Sequence, residues 1–240
     1  MSPERPQPPT PVAPIASLED PRVITILSTE HWSLLSARSL AYNEAFVRAG
    51  MFLTFLSMSF VALALLAQAM AFGRDFLSVS ALVLAFDLVI GLATFGRING
   101  ANYDDLRAVH GMARIRHAYT QITPIVEPYF TTPIHDDIDA VTTVYGPISD
   151  RLPGQIAYGL TTSAGMIGLI VSMVGGVLGA VVALLAGVAG GAAIWIGVVG
   201  GLVVLVALIV YGNSTVENVR SAVKARFPTP ETHAAIPDSE

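Results

Sequence analysis

The sequence predicts an all-α integral membrane protein with four transmembrane helices, arranged as two hairpins with cytoplasmic helical extensions. Hydrophobic residues make up 53% of the chain and charged residues only 13%, whereas about 25% of residues are charged in an average soluble domain. Residues 51–96 and 164–212 contain apolar runs long enough to cross the roughly 30 Å hydrocarbon core of a bilayer. All Lys and Arg residues except Arg74 lie outside these regions.

Residues 1–22 form a Pro-rich tail that we expect to be disordered. The tail lacks the basic and apolar regions of a signal peptide. Residues 23–50 predict a cytoplasmic or interfacial helix, with Ser28 and Thr29 as candidate caps. Glu44 precedes Arg48 by about one helical turn, an order that stabilises helices. We expect this helix to continue into the first membrane span.

Residues 51–96 predict the first transmembrane hairpin. Its two apolar runs, 51–72 and 76–96, are separated only by Gly73-Arg74-Asp75. Each run is long enough for one crossing at about 1.5 Å per residue. The short connection therefore predicts a tight turn between two antiparallel spans.

Residues 164–212 predict the second hairpin, because an uncharged run of this length exceeds one crossing. A Gly-rich sequence at residues 187–191 supplies a turn near the middle. The third span is therefore expected at about 164–187 and the fourth at about 191–212.

Residues 97–163 predict a cytoplasmic helical segment. Helical periodicity continues to residue 122 and ends before Pro124, and the rest of the segment is less regular. Residues 213–240 predict a cytoplasmic helix that stops at Pro228, followed by a disordered tail. Because short helices are unstable alone, we expect the extensions to pack as a small bundle; they are residues 29–50, 97–122 and 213–226.

The distribution of basic residues predicts the orientation. Lys and Arg in short flanking loops stay on the cytoplasmic side, and Arg74 is the only one in the connection between spans one and two. An even number of crossings places all the other basic residues together. We therefore expect both termini in the cytoplasm and the protein in the plasma membrane.

Asp87 is the main candidate site within the membrane. It lies near the middle of span two, where a charged carboxylate costs about 2.5 to 3.5 kcal/mol. No span contains Lys, Arg or His, so we expect Asp87 to be protonated unless water reaches it. Helical geometry gives it a face shared with Ser80, Gly91 and Thr94; on span one the expected facing stripe is Thr54, Ser57, Ala64 and Gln68.

Two interpretations of Asp87 stay open. It is a proton or cation site on a permeation path, or a neutral carboxyl group that hydrogen-bonds between helices. Ser57, Ser59 and Ser172 lie at a similar depth. Ser57, Ser172 and Thr94 are the further candidates for either role.

A basic face on the helix after span two is the second candidate site. Its members recur at three, four and three residues; they are Arg107, His110, Arg114 and His117. Such a face binds anionic lipid headgroups or an acidic ligand, or pairs internally with Asp136, Asp137 and Asp139. The run His135 to Asp139 lacks zinc-type ligand spacing, so no metal site and no cofactor is predicted.

Small residues recur along the second hairpin and predict close helix packing. The residues are Gly168, Ser172, Gly176 and Ala180 in span three, and Ala193, Gly197 and Gly201 in span four. Two alternatives stay open: these residues pack the two spans of one chain against each other, or they join copies of the chain in a homo-oligomer. The lipid bilayer is the expected partner. The net charge of −5 argues against nucleic acid.

The chain resembles a group of bacterial membrane proteins without an assigned activity. The resemblance is carried by LSTEHWSLLSARSLAYNEAFVRAGMFL and by GMARIRHAYTQITPIVEPYF followed by HDD, and it covers most of residues 26–140. The layout of a helix that enters a two-span hairpin and leaves as a second helix also looks like the SLATT effector domains of bacterial defence systems. Neither resemblance assigns a role to a residue.

The sequence favours a non-enzymatic membrane protein that scaffolds, senses or regulates through its cytoplasmic helices. It contains no GxxxxGK[ST], HExxH or GxSxG motif, and no catalytic residue is predicted. The alternative is a small oligomeric ion or proton channel with Asp87 on the pathway.

Overall fold

The computed structural model describes residues 17–18, 20–145, 159, 161–222 and 224–230, with only the backbone of 215–222. Within these residues the chain is helical and forms no strand. The elements are α1 (Pro21–Met70), α2 (Arg74–Ile122), α3 (Ile138–Thr142), α4 (Ser163–Leu185) and α5 (Gly190–Ala222), with short 3-10 turns at Pro124–Tyr129 and Thr143–Tyr145.

Four of the helices are long and apolar enough to cross a membrane. They are α1, α2, α4 and α5, and they carry the four predicted spans. This confirms the prediction of an all-α protein with four transmembrane helices. Residues 1–16 of the tail predicted at 1–22, residues 146–158 of the predicted segment 97–163, and residues 231–240 lie outside the described residues.

The first helix begins earlier than the sequence predicts. Asp20 caps it by accepting a hydrogen bond from the Arg22 backbone N–H at 2.9 Å, and Pro21 occupies the first turn. Proline fits this position because the first helical N–H groups have no intrahelical partner. Ser28 and Thr29 are therefore not caps; both hydroxyls donate to the Thr25 carbonyl within the helix.

The first hairpin turns within three residues, as predicted. Ala71 and Phe72 adopt left-handed φ values of 49° and 55°, and the Gly73 N–H donates to the Met70 carbonyl at 3.0 Å. Left-handed backbone is unfavourable for residues other than glycine, so α1 ends at Met70 rather than at residue 72.

The two helices of this hairpin continue, unbroken, well beyond the membrane. Each has about 50 residues and a length of about 75 Å, more than twice the thickness of the hydrocarbon core. The two helices remain in antiparallel contact over this length, since Ser59 meets Asp87 in the membrane and Arg38 meets Asp105 outside it. We call residues 21–50 of α1 and 97–122 of α2 the stalk.

The second hairpin is built on close backbone contact between α4 and α5. A Cβ added to Gly176 would lie 2.8 Å from the Gly197 carbonyl oxygen, so glycine allows the two backbones to approach. Gly187 forms the turn with a φ of 84°. The predicted small-residue stripe thus packs the two helices of one chain.

Helix α2 is the centre of the membrane region, since it packs against α1 on one side and α4 on the other. Gly91 admits Phe52 of α1 and Val171 of α4 to the α2 backbone. The predicted boundaries of spans three and four shift by one to two residues at the turn, and α5 extends past residue 212 to Ala222.

The C-terminal helix ends four residues before the predicted stop. Residues 224–230 are non-helical, and we call them the C-terminal segment. Its backbone N–H groups donate to side chains of the loop before α3 instead of to helix carbonyls. The helical prediction up to residue 226 is wrong for this reason.

Candidate functional site

The C-terminal segment is held against the stalk by a buried carboxylate. Asp136 has no exposed side-chain surface. It accepts the backbone N–H groups of Arg226 at 2.9 Å and Phe227 at 2.7 Å, and the Arg114 guanidinium at 2.6 Å. Its own N–H donates to the Phe227 carbonyl at 3.2 Å. These bonds fix the segment by its backbone, as in the recognition of an extended peptide.

Asp137 binds the segment two residues further on. Its carboxylate accepts the backbone N–H of Thr229 at 2.8 Å and the Thr229 hydroxyl at 2.7 Å. Its other oxygen accepts the Ala140 N–H at 3.1 Å, which caps α3. The same side chain therefore starts a helix and holds the segment.

The phenyl ring of Phe227 is recognised separately from the backbone. It stacks on His117 of α2 with centroids 4.2 Å apart and an interplanar angle of 23°. His135 lies beside His117, with ring centroids 6.0 Å apart, and Arg114 donates to the Lys224 carbonyl at 3.0 Å. We call this set the docking groove; its residues are Arg114, His117, His135, Asp136 and Asp137.

The hydrogen bonds keep both groove carboxylates charged. Burial raises the pKa of Asp136, but the Arg226 N–H, the Arg114 guanidinium and the Phe227 N–H outweigh it and hold that pKa below its usual value. Burial likewise raises the pKa of Asp137, and the hydroxyl and N–H of Thr229 lower it overall. The segment is thus bound by anions at neutral pH.

The structure divides the predicted basic face among different environments. Arg114 pairs with Asp136, as in the internal-pairing alternative, and His117 stacks on Phe227. His110 is buried, and burial lowers the pKa of its ring. Only Arg107 is exposed, with its guanidinium 5.6 Å from the centre of the Tyr103 ring. Three of the four residues thus face protein.

A second buried carboxylate in the stalk is absent from the sequence prediction. Asp105 has no exposed side-chain surface, pairs with Arg38 of α1 and accepts the Tyr145 hydroxyl at 2.6 Å. Burial and this hydrogen bond raise the pKa of Tyr145 far above its usual value. A signal was available in the sequence, because a tight turn at Gly73 places the stretch of α2 around Asp105 opposite the stretch of α1 around Arg38.

Glu44 joins the same two helices closer to the membrane. It accepts hydrogen bonds from Arg97 of α2 at 2.7 Å and from Arg48, one turn along α1, at 3.0 Å. The Arg97 hydrogen bond is the main reason that the pKa of Glu44 is lowered. The predicted pair of Glu44 and Arg48 within α1 is therefore extended by Arg97, which connects α1 to α2.

Within the membrane, Asp87 lies on the expected face of α2. Ser80, Gly91 and Thr94 are buried with it. Its partner on α1 is Ser59, whose hydroxyl donates to Asp87 Oδ1 at 3.0 Å. Among the described residues, no donor reaches Oδ2, and the buried Ser80 hydroxyl has no hydrogen-bond partner.

The other membrane candidates do not contact Asp87 through hydrogen bonds. Ser57 is exposed on the outer face of α1 and donates to the Leu53 carbonyl, so the expectation that it faces Asp87 is wrong. The predicted stripe is rotated outward, since Thr54, Ala64 and Gln68 are also exposed. Thr94 and Ser172 are buried but donate to the Ile90 and Leu169 carbonyls of their own helices.

No group of three metal-binding side chains occurs in the part of the chain that the structure describes. Asp136 and Asp137 instead accept the N–H groups of the C-terminal segment. Comparison with protein-family models, curated proteins and solved structures finds no match.

Proposed function

We propose that the protein is a non-enzymatic, multi-pass protein of the plasma membrane that senses or regulates, or scaffolds a partner, through its cytoplasmic helices. The observation that carries this proposal is the docking of the C-terminal segment in a groove on the stalk. The segment follows α5 in the chain, so its attachment links the fourth span to the far end of α2. Release of the segment is the change of state that the proposal requires.

Two features support transmission along the molecule. Helices α1 and α2 run from the membrane to the groove without a break, so a movement at one end reaches the other through rigid elements. The segment is bound mainly by hydrogen bonds and one aromatic contact rather than by a large apolar core. Such regions open at lower free energy than a packed core.

The orientation, with both termini in the cytoplasm, remains part of the proposal. It is supported by a contact of Arg74, which is the only Lys or Arg predicted on the opposite side of the membrane. The Arg74 guanidinium donates to the Leu185 carbonyl at 3.2 Å. A cation at this place satisfies the C-terminal end of α4. The arginine therefore has a structural partner on that side of the membrane.

Electron–electron distance measurements on spin labels test the proposal. The chain has no cysteine, so introduced pairs are unique. The exposed pair Asp139→Cys and Ala225→Cys reports the distance between the C-terminal segment and the docking groove. The exposed pair Asn102→Cys and Asn213→Cys reports the distance between α5 and α2 near the membrane. Both pairs are measured in nanodiscs with Asp136 intact and with Asp136→Ala.

We expect Asp136→Ala to broaden and lengthen the distances of both pairs. The matched control is Asp104→Ala, which removes an exposed carboxylate from the stalk and should change neither. A variant that releases the segment without any change in the second pair would contradict the proposal, because the segment would then not be coupled to the fourth span.

The second candidate function is a small oligomeric ion or proton channel with Asp87 on the pathway. It is favoured by one observation, the buried Asp87 Oδ2 that no described donor reaches, because such groups mark ion pathways in membranes. Proteoliposomes with a pH gradient test it. The channel predicts a flux that Asp87→Asn reduces, whereas the sensor predicts the same background flux for both proteins.

Homo-oligomerisation through spans three and four remains a prediction. The small residues that face each other, including Gly176, Gly197 and Gly201, are used within the chain. An oligomer would therefore use other faces of α4 and α5. The mass of the protein in detergent, with detergent subtracted, measures the number of copies.

A further inference from the structure

The far end of the stalk contains a cavity that the docking groove does not use. It has a volume of about 310 Å³ and lies between α1, α2 and the loop after α2. Its walls are mainly aromatic, with one arginine and one histidine; they are Ser28, His31, Trp32, Arg116, Tyr119 and Phe130. A cavity of this size matches a small organic molecule.

Arg116 brings an uncompensated positive charge to this cavity. Its guanidinium donates one hydrogen bond, to the Pro133 carbonyl at 3.3 Å, although the group has five N–H donors. No carboxylate in the described ranges pairs with it, whereas Arg38, Arg97 and Arg114 all have acidic partners. Burial, and secondarily the charge of Arg38, lower the pKa of Arg116. A half-buried cation of this kind is stabilised by an anion.

The remaining lining selects the body of such a ligand. The Nδ1 atom of His31 is buried without a hydrogen-bond partner among the described residues, and burial lowers the pKa of this ring. Trp32, with 67% of its surface exposed, stands at the rim, and Tyr119 and Phe130 form apolar walls. Aromatic side chains stack on flat apolar groups.

The position of the cavity excludes bilayer headgroups as its occupant. His31 precedes residue 51, where the first span is expected, by 20 helical residues, a distance of about 30 Å along the helix. An occupant therefore comes from the aqueous phase.

We propose that this cavity binds a small soluble organic anion, with its carboxylate or phosphate group at Arg116 and a flat apolar body against Trp32, Tyr119 and Phe130. The proposal rests on the proposed function in one respect, since it identifies the input of the sensor. The loop that supplies Phe130 to the cavity wall, and whose Pro133 carbonyl accepts a hydrogen bond from Arg116, continues directly to Asp136 of the docking groove. Binding at Arg116 therefore acts on the loop that holds the C-terminal segment.

Tryptophan fluorescence tests binding directly. The chain has two tryptophans, and Trp195 is exposed on α5, so Trp195→Phe leaves Trp32 as the only emitter. The full-length protein in neutral-lipid nanodiscs is titrated with four probes: benzoate, phenyl phosphate, inorganic phosphate and benzamide. Benzamide has the flat body without the charge, and inorganic phosphate has the charge without the body.

We expect benzoate, phenyl phosphate or both to change the Trp32 emission saturably. Which of the two binds shows whether the cavity prefers a carboxylate or a phosphate group. Benzamide and inorganic phosphate should bind at least about tenfold more weakly, equivalent to about 1.4 kcal/mol. Arg116→Gln should weaken binding by a similar factor, and Arg116→Lys, which keeps the charge but loses the planar fork, by less. Arg107→Gln, on the exposed side of the same helix, should have no effect.

Absence of a saturable change with both aromatic acids would overturn the proposal, as would equal binding of benzamide or unchanged affinity in a folded Arg116→Gln variant. Circular dichroism establishes the folding of each variant. The Trp32 signal reports occupancy of the cavity and the spin-label distances report release of the C-terminal segment. Failure of the binding site and failure of the sensor mechanism are therefore distinguished.

Discussion

Two aspartates, one in the loop that packs on the stalk and one in the membrane, are buried to the same degree but held very differently. Asp136 and Asp87 both have no exposed side-chain surface. Asp136 accepts hydrogen bonds from two backbone N–H groups and an arginine, whereas Asp87 accepts one from Ser59. The first carboxylate connects three segments of the chain, and the second connects two neighbouring helices.

The difference follows from the solvent around each region. In the stalk, water hydrates the unfolded carboxylate, so burying it requires charged and backbone donors that replace this hydration. In the membrane, a neutral carboxyl group needs less compensation, and the spans contain no basic residue that would pair with a charge. Stalk structure therefore depends on charge pairing, and membrane structure on the shape of contacting backbones.

The largest effect is expected from Asp136→Ala. Removing this carboxylate takes away the acceptor that two N–H groups of the C-terminal segment share with the partly exposed Arg114, and hydrogen bonds to a charged group contribute about 1.5 to 3 kcal/mol each. Trypsin cleavage after the exposed Lys224 and Arg226 measures opening of the segment. We expect cleavage to accelerate at least about 100-fold, since about 1.4 kcal/mol corresponds to tenfold.

Asp139→Ala is the matched control for this measurement, because that carboxylate is exposed and lies only three residues after Asp136, in α3. It should leave the cleavage rate near that of the unmodified protein. Equal rates for the Asp136 and Asp139 variants would mean that the segment is not held by the buried carboxylate.

A smaller effect, confined to the membrane, is expected from Gly197→Ala. The added Cβ would lie 2.8 Å from both the Ala180 Cβ and the Gly176 carbonyl oxygen, and overpacking of this kind costs about 1 to 3 kcal/mol. The control is Gly200→Ala, which meets nothing within 4 Å. We expect a lower thermal unfolding midpoint for the first variant and no decrease for the second.

This pair of variants tests the role of shape in the second hairpin. If the two alanine variants unfold at the same temperature, forcing α4 and α5 apart does not lower stability. Close backbone contact is then not what stabilises the second hairpin.

A moderate pH dependence is expected in the stalk alone. Burial lowers the pKa of His110; the nearby Asp136 main chain and the Asp136 and Asp137 charges oppose this decrease, and Arg114 adds to it. As the pH falls below the ordinary value of 6.5, the unfolded ring binds a proton that the folded one resists. Stability is therefore complete above this pH and decreases below it.

Trypsin cleavage of the C-terminal segment between about pH 7.5 and pH 5.5 measures this dependence, with a matched exposed peptide correcting for the pH response of the protease. His110→Gln should reduce the acceleration at low pH. His31, whose pKa burial also lowers, contributes with the same sign and remains in that variant. A cleavage rate that decreases at low pH would contradict the assignment of His110 as a buried neutral ring.

The sequence predicts the membrane region better than the stalk for a physical reason. Hydrocarbon requires long uninterrupted apolar helices, so the spans and the turn at Gly73 are visible in composition alone. The face of Asp87 also follows from helical periodicity, but its partner does not: Ser57 and Ser59 are at similar depth, and only the rotation of α1 selects Ser59.

In the stalk, long-range partners decide the structure. The sequence from 213 to 226 has helical character, yet the N–H group of Arg226, which a continued helix would use, donates to Asp136, and the residues after it bind to Asp136 and Asp137. This outcome depends on a loop about 90 residues earlier in the chain, which local patterns do not register. The pairing of Arg38 with Asp105 was accessible from the hairpin register, but the cavity at Arg116 requires the loop after α2 to be placed.

The smallest effect is expected from Asp87→Asn. We expect Asp87 to be a neutral carboxyl group. The substitution then replaces it by a neutral amide of the same size whose oxygen keeps the hydrogen bond from Ser59, so stability should change by less than the contribution of one hydrogen bond, about 1 kcal/mol. Thermal unfolding in nanodiscs measures it, with Ser59→Ala as a second variant that removes the donor instead. A loss of stability as large as that of Asp136→Ala would mean that Asp87 is charged and that its surroundings compensate the charge. The difference between the two aspartates would then come from the number of their hydrogen-bond partners and not from the solvent around each region.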